Sequence, residues 1–118
     1  RRLEGRTAEY LVTPDGAKIQ PSAIIHLIGV LIKPEWLKKF QVIQRRIDEF
    51  EVDVELWNQV SDDDLRRFSV LVREALTKLC HASISVNVRV VEHIVPSQSG
   101  KHSYCISMVK PSVGSPPQ

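Results

Sequence analysis

The chain has 118 residues, 42% of them hydrophobic, which is enough for one compact core and leaves little for a second. Lys and Arg number 16 against 14 Asp and Glu, so the formal charge of +2 gives no electrostatic case for a nucleic-acid or membrane partner. The longest apolar stretch, Ala23 to Ile32, is broken by His26 and Gly29 and is too short to cross a bilayer, so it reads as a buried element.

Arg1 to Arg6 are charged, include no initiator Met and precede no apolar run, so they read as the interior of a longer chain and not as a signal peptide. Two short extended runs then flank Pro14-Asp15-Gly16, a turn sequence that predicts a β-hairpin over Glu9 to Gln20. Pro21 suits the first turn of a helix, where its missing N–H would be unpaired anyway. Ile24, Leu27, Ile28 and Leu31 follow at helical spacing, and Pro34 stops the helix near Lys33.

Phe40, Val42 and Gln44 begin a strand. Phe50, Val52, Val54 and Leu56 then alternate with Glu51, Asp53 and Glu55, the clearest strand pattern in the chain. A tight turn over Arg46 to Glu49 predicts antiparallel pairing of the two, with one acidic face exposed. Ser61 with Asp64 forms a capping-box pattern, and Asp62 and Asp63 add negative charge where the helix dipole favours it. The helix that follows keeps Leu65, Phe68, Leu71, Val72, Ala75, Leu76 and Leu79 on one face, with Lys78 and His81 at its C-terminal end.

Ile84, Val86, Val88 and Val90 alternate as a third strand, the polar loop Pro96 to His102 follows, and Ser103 to Val109 form a weaker extended run. Residues 111–118 read as a disordered tail and residues 1–110 as one domain. The expected fold is α+β: a small antiparallel sheet covered by two helices, with an N-terminal β-hairpin and a C-terminal lysine loop.

Two segments carry candidate chemistry. One is Leu3-Glu4-Gly5-Arg6-Thr7-Ala8-Glu9-Tyr10-Leu11, running into Asp15-Gly16 and Ile19-Gln20-Pro21. The other is Pro96-Ser97-Gln98-Ser99-Gly100-Lys101. Each is short enough to occur by chance, but their order, with a two-strand, helix, strand core between them, resembles the C-terminal domain of adenylate-forming (AMP-forming) ligases. The Pro-Asp-Gly turn before Ile19 and Pro21, and the run Phe40-Gln41-Val42-Ile43-Gln44, are similar to the phenylacetate-CoA ligase branch. That branch includes synthetases that adenylylate a deazaflavin coenzyme and proteins of capsular polysaccharide biosynthesis.

The resemblance implies a mobile lid domain of a larger ligase that uses ATP, Mg2+ and coenzyme A. The partners would be a large N-terminal adenylation domain of the same chain and a small carboxylic acid substrate. The fragment alone is expected to be inactive and to bind none of the cofactors. Lys101 matches the lysine of the adenylation step, Arg6 the arginine that contacts ribose or phosphate, and Ser99 and Gly100 the turn that brings the lysine to the nucleotide. Gly5, Ala8 and Glu9 fall at the hinge, where the family usually has Asp or Lys in place of Ala8. Where the family often has a basic residue shortly after the lysine, this chain has Ser103 and Tyr104.

Other readings of single residues are plainer. Cys80, His81, His102 and Cys105 lack the paired Cys-x-x-Cys spacing of a structural zinc site, so no metal is expected. Two cysteines make no disulfide framework and favour a reducing, cytoplasmic setting. His26 reads as a core or edge histidine, and the Asp62 to Asp64 run as a helix start. Trp36 and Trp57 are candidates for packing against the large domain. The rival to the ligase reading is a free-standing α+β module that binds a small molecule or an interaction partner.

Overall fold

A computed structural model describes residues 9–94 and 103–109. The predicted hairpin is present as β1 (Leu11–Val12) and β2 (Lys18–Ile19), antiparallel, with Leu11 opposite Ile19. Its loop is Pro14-Asp15-Gly16: the Gly16 N–H reaches the Thr13 carbonyl at 2.9 Å, and Gly16 takes a φ of 89° that only glycine adopts without strain. The Thr13 hydroxyl meets the Asp15 carboxylate, and this contact, followed by the Ala17 N–H, holds the Asp15 carboxyl below its usual pKa.

Pro21 opens α1 (Pro21–His26), which continues directly into a π-helical segment, Leu27–Ile32, closed by a 2.8 Å bond from the Lys33 N–H to the Ile28 carbonyl. The wider turn shifts the buried face. Ile24 and Ile28 are fully buried, Ile32 packs against the core, and Leu31 is 66% exposed instead of completing the expected apolar stripe.

The main sheet contains β3 (Leu37–Arg46), β4 (Glu49–Leu56), β5 (Ser85–Val90) and β6 (Cys105–Ser107), in the order β5-β4-β3-β6. The β3–β4 hairpin is antiparallel as expected, placing Phe40 opposite Val54 and Val42 opposite Val52. Both outer strands run parallel to their neighbours, β5 to β4 and β6 to β3, so the sheet is mixed where an antiparallel one was predicted. The physical reason lies in α2 (Asp62–Cys80): a strand followed by a crossover helix returns the chain to the end where it started, and the next strand pairs in parallel.

The α2 start is the predicted cap, with the Asp64 N–H donating to the Ser61 hydroxyl at 3.1 Å, and the helix ends at His81 with a φ of 56°. Phe68, Val72, Leu76 and Cys80 face the sheet, while Leu71 points outward. Together with Ile24 and Ile28 they meet Phe40, Val42, Phe50, Val52, Val54 and the hairpin residues Leu11 and Ile19 in one core. The second face of the sheet departs from expectation. Asp53 and Glu55 are buried on it, not displayed to solvent.

Candidate functional site

Of the residues implicated by the sequence, Gly5, Arg6, Ala8, Ser99, Gly100 and Lys101 lie outside the described residues, and Glu9 lies within them. The described structure brings together the two points at which their segments join the fold. A Glu9 carboxylate oxygen accepts from the Ser103 hydroxyl at 3.0 Å, and the Glu9 carbonyl accepts a weak bond from the Cys105 thiol at 3.7 Å. Glu9 follows Arg6 by three positions and Ser103 follows Lys101 by two.

Ser103 is buried and held a second time, because Gln41 Nε2 donates to its carbonyl at 2.9 Å. The next carbonyl, of Tyr104, takes the Val42 N–H at 2.9 Å, and the Tyr104 ring lies 5.1 Å from that of Phe40. Parallel pairing of β6 with β3 is what aligns these groups. Deeper in, the wholly buried Gln44 amide exchanges two hydrogen bonds with the Val12 peptide, at 2.9 and 2.8 Å, and accepts from the Ser107 hydroxyl at 2.8 Å. Hairpin, sheet and β6 are thereby joined by one side chain.

On the other side of the segment that carries Lys101, Ile94 is buried and its N–H donates to Glu55 Oε2 at 2.7 Å. That bond, aided by the nearby positive charge of Lys39 and Lys38, holds the Glu55 carboxyl below its ordinary pKa against the upward pull of burial. Farther along the same face Arg89 grips Asp53 with two bonds of 2.9 and 3.0 Å, and Arg45 meets Glu51 at 2.7 Å. These pairs balance the acidic residues that alternation alone had assigned to solvent.

Burial, and then the Glu9 charge, push the Cys105 thiol up to about 11, and burial raises Cys80 as well, so neither is a ready nucleophile or metal ligand at neutral pH. His102 lies outside the described residues, among which no three metal-ligating side chains converge. His26 is exposed, not a core histidine. Trp36 stands edge-on to Phe68 at 5.2 Å, whereas Trp57 is 63% exposed with the Lys38 ammonium 5.1 Å from its ring.

Sequence reasoning missed Gln41, Gln44 and Glu55 as organising residues. For Gln44 a signal existed: it occupies the core-facing slot two residues after Val42, where a polar side chain must find partners. Glu55 offered none, since its partner lies 39 residues away.

The CapK C-terminal domain family matches the chain over residues 11–108, which takes in every described strand and helix. The chain belongs to that family. A domain of phenylacetate-coenzyme A ligase from Bacteroides vulgatus ATCC 8482 shares the fold with a TM-score of 0.57, at 15% sequence identity over 86% of this chain and 93% of that one. No curated protein matches the chain. The likeness to a phenylacetate-CoA ligase domain expected from the sequence is thus met in the fold, and the CapK C-terminal domain keeps its helices on one side of a mixed sheet.

Proposed function

We propose that this CapK C-terminal domain is the mobile domain of an ATP-dependent, AMP-forming ligase that adenylates a small carboxylic acid and then forms a thioester with coenzyme A. The large adenylation domain would precede it in the same chain. Lys101 supplies the ammonium for the first step. A substrate carboxylate oxygen bonds to the α-phosphorus of ATP as the bond to the bridging oxygen breaks, and that electron pair leaves on pyrophosphate. Negative charge grows on the non-bridging and leaving oxygens, and a fixed ammonium beside them lowers the barrier. Arg6 offers a planar fork of donors to ribose or phosphate. The resemblance gives Ser99 and Gly100 the role of bringing the lysine to the nucleotide.

The single observation that carries this reading is the Glu9–Ser103 hydrogen bond. It ties the points where the Arg6 and Lys101 segments enter the fold, as one nucleotide contacted from both segments requires. Family membership and the shared fold support it further. Mg2+ would enter with the nucleotide, as a hard cation that is held through phosphate oxygens. Among the described residues no helix is long and apolar enough to cross a membrane, and the two buried free thiols favour the cytoplasm.

The test is ATP–pyrophosphate exchange by the full-length protein against a panel of acids, comparing wild type with Lys101→Ala. Loss of one preorganised donor at a developing charge lowers the rate by about 10²- to 10³-fold. Exchange at the wild-type rate by Lys101→Ala removes the lysine from the mechanism, and no exchange with any acid removes the ligase assignment.

A further inference from the structure

Where the π-helical segment gives way to β3, the surface is hollowed into a cavity of about 440 Å³ that the function proposed above does not use. Gly29, Leu37 and Phe40 line it with apolar surface, and the Trp57 indole stands at its rim, 63% exposed. Lys33 and Lys38 line it too, against one acid, Glu35. The Lys38 ammonium lies 5.1 Å from the centre of the Trp57 ring and 3.9 Å from Glu55 Oε1. Among the described residues Lys33 has no ion pair.

The backbone around the cavity is held at three points. The Lys33 N–H donates to the Ile28 carbonyl at 2.8 Å, the Leu37 N–H to the Pro34 carbonyl at 3.2 Å, and the Trp57 N–H to the Trp36 carbonyl at 2.8 Å. Two irregularities coincide here: the π-helical turn, and Lys33 itself, whose φ of 35° is one that glycine adopts freely and lysine only at a cost. Irregularities of both kinds gather at functional sites.

We propose that this cavity binds an aromatic carboxylate, its ring against Trp57 and Phe40 and its carboxylate met by the Lys33 and Lys38 ammoniums. The site does not depend on the ligase reading. Two ammoniums against one carboxylate leave the lining one charge positive, which selects an anion over a neutral or cationic ring. Lys38 sets one of those charges beside the exposed indole, so ring surface and positive charge lie within reach of a single small molecule. Walls already fixed by hydrogen bonds lower the ordering cost of binding.

The test is an amide and indole NMR titration of the 118-residue chain. The probes are naphthoate, naphthalenemethanol (ring without charge), acetate (charge without ring) and AMP (ring with phosphate). Naphthoate is expected to bind saturably with a dissociation constant of about 0.1 to 1 mM, shifting the Gly29 and Leu37 N–H and the Trp57 indole N–H. The other three are expected to bind about 10-fold more weakly or worse. Lys33→Gly relaxes the backbone, so it keeps the fold while weakening naphthoate by about 3- to 10-fold through loss of the ammonium. Gly29→Leu puts a good helix former into the helix and its side chain into the cavity, and should weaken naphthoate by about 10-fold or more.

No saturable shift at these residues overturns the proposal. So does naphthoate binding that both folded variants leave unchanged. Naphthalenemethanol binding as tightly as naphthoate removes the carboxylate, and tighter binding of AMP at the same residues replaces the aromatic acid with a nucleotide; either result overturns the ligand class assigned here.

Discussion

The Gln44 side-chain amide pairs with the Val12 peptide as a neighbouring strand would, accepting from its N–H at 2.9 Å and donating to its carbonyl at 2.8 Å. The two residues are 32 positions apart. One side chain therefore does for the two-residue β1 what a longer ladder does elsewhere, and it holds the hairpin beside the segment entering at Glu9.

Replacing Gln44 with Leu preserves apolar bulk but strands the Val12 N–H, the Val12 carbonyl and the Ser107 hydroxyl. We expect a loss of about 2 to 4 kcal/mol, given the cost of unsatisfied buried groups. Urea unfolding measures the loss, and hydrogen exchange at Val12 locates it. An unchanged midpoint with Val12 still protected would show that the hairpin is held by Leu11 and Ile19 alone.

The π-helical turn makes opposite forecasts for two residues that regular helical spacing treats alike. Ile28→Ala opens a cavity in the core and should cost about 2 to 5 kcal/mol. Leu31→Ala trims an exposed side chain and should change stability by no more than about 0.5 kcal/mol. Thermal or urea denaturation of the pair decides the point, and comparable losses at both positions would return this stretch to a regular α-helix.

Cys105 gives a test at high pH. Its folded pKa, about 11, lies above the ordinary 9.0, so the folded state holds the proton more tightly than the unfolded chain. The resulting stability is complete below pH 9.0 and is lost as the pH rises through about 11. Denaturation midpoints should fall over that window in the wild type and fall less in Cys105→Ala. At neutral pH a thiol reagent should label the native chain only as fast as it opens. Rapid labelling of Cys105 in folded protein would contradict its burial.

Much of the architecture was legible because its signals are local. Pro14-Asp15-Gly16 names its own turn, Ser61 and Asp64 name a helix start, and Phe50 to Leu56 alternate as a half-buried strand must. What escaped was non-local. Val86, Val88 and Val90 alternate identically in a parallel or an antiparallel pair, and only the intervening α2 decides which. Asp53 and Glu55 look like solvent-facing acids until Arg89 and the Ile94 N–H arrive from 36 and 39 residues downstream. The candidate site was readable as two motifs, yet the bond joining them runs between Glu9 and Ser103, which are 94 positions apart. No window of sequence contains both.

The lateness of β6 has a consequence for biosynthesis. Gln41 and Gln44 are made early but wait for Ser103 and Ser107 before their amides are fully occupied, and Glu9 waits longer still. On the ribosome, the helices and the β3–β4 hairpin can assemble while the entry strand stays loose. Ser103 and Ser107, made after both helices, then fasten Glu9 and Gln44.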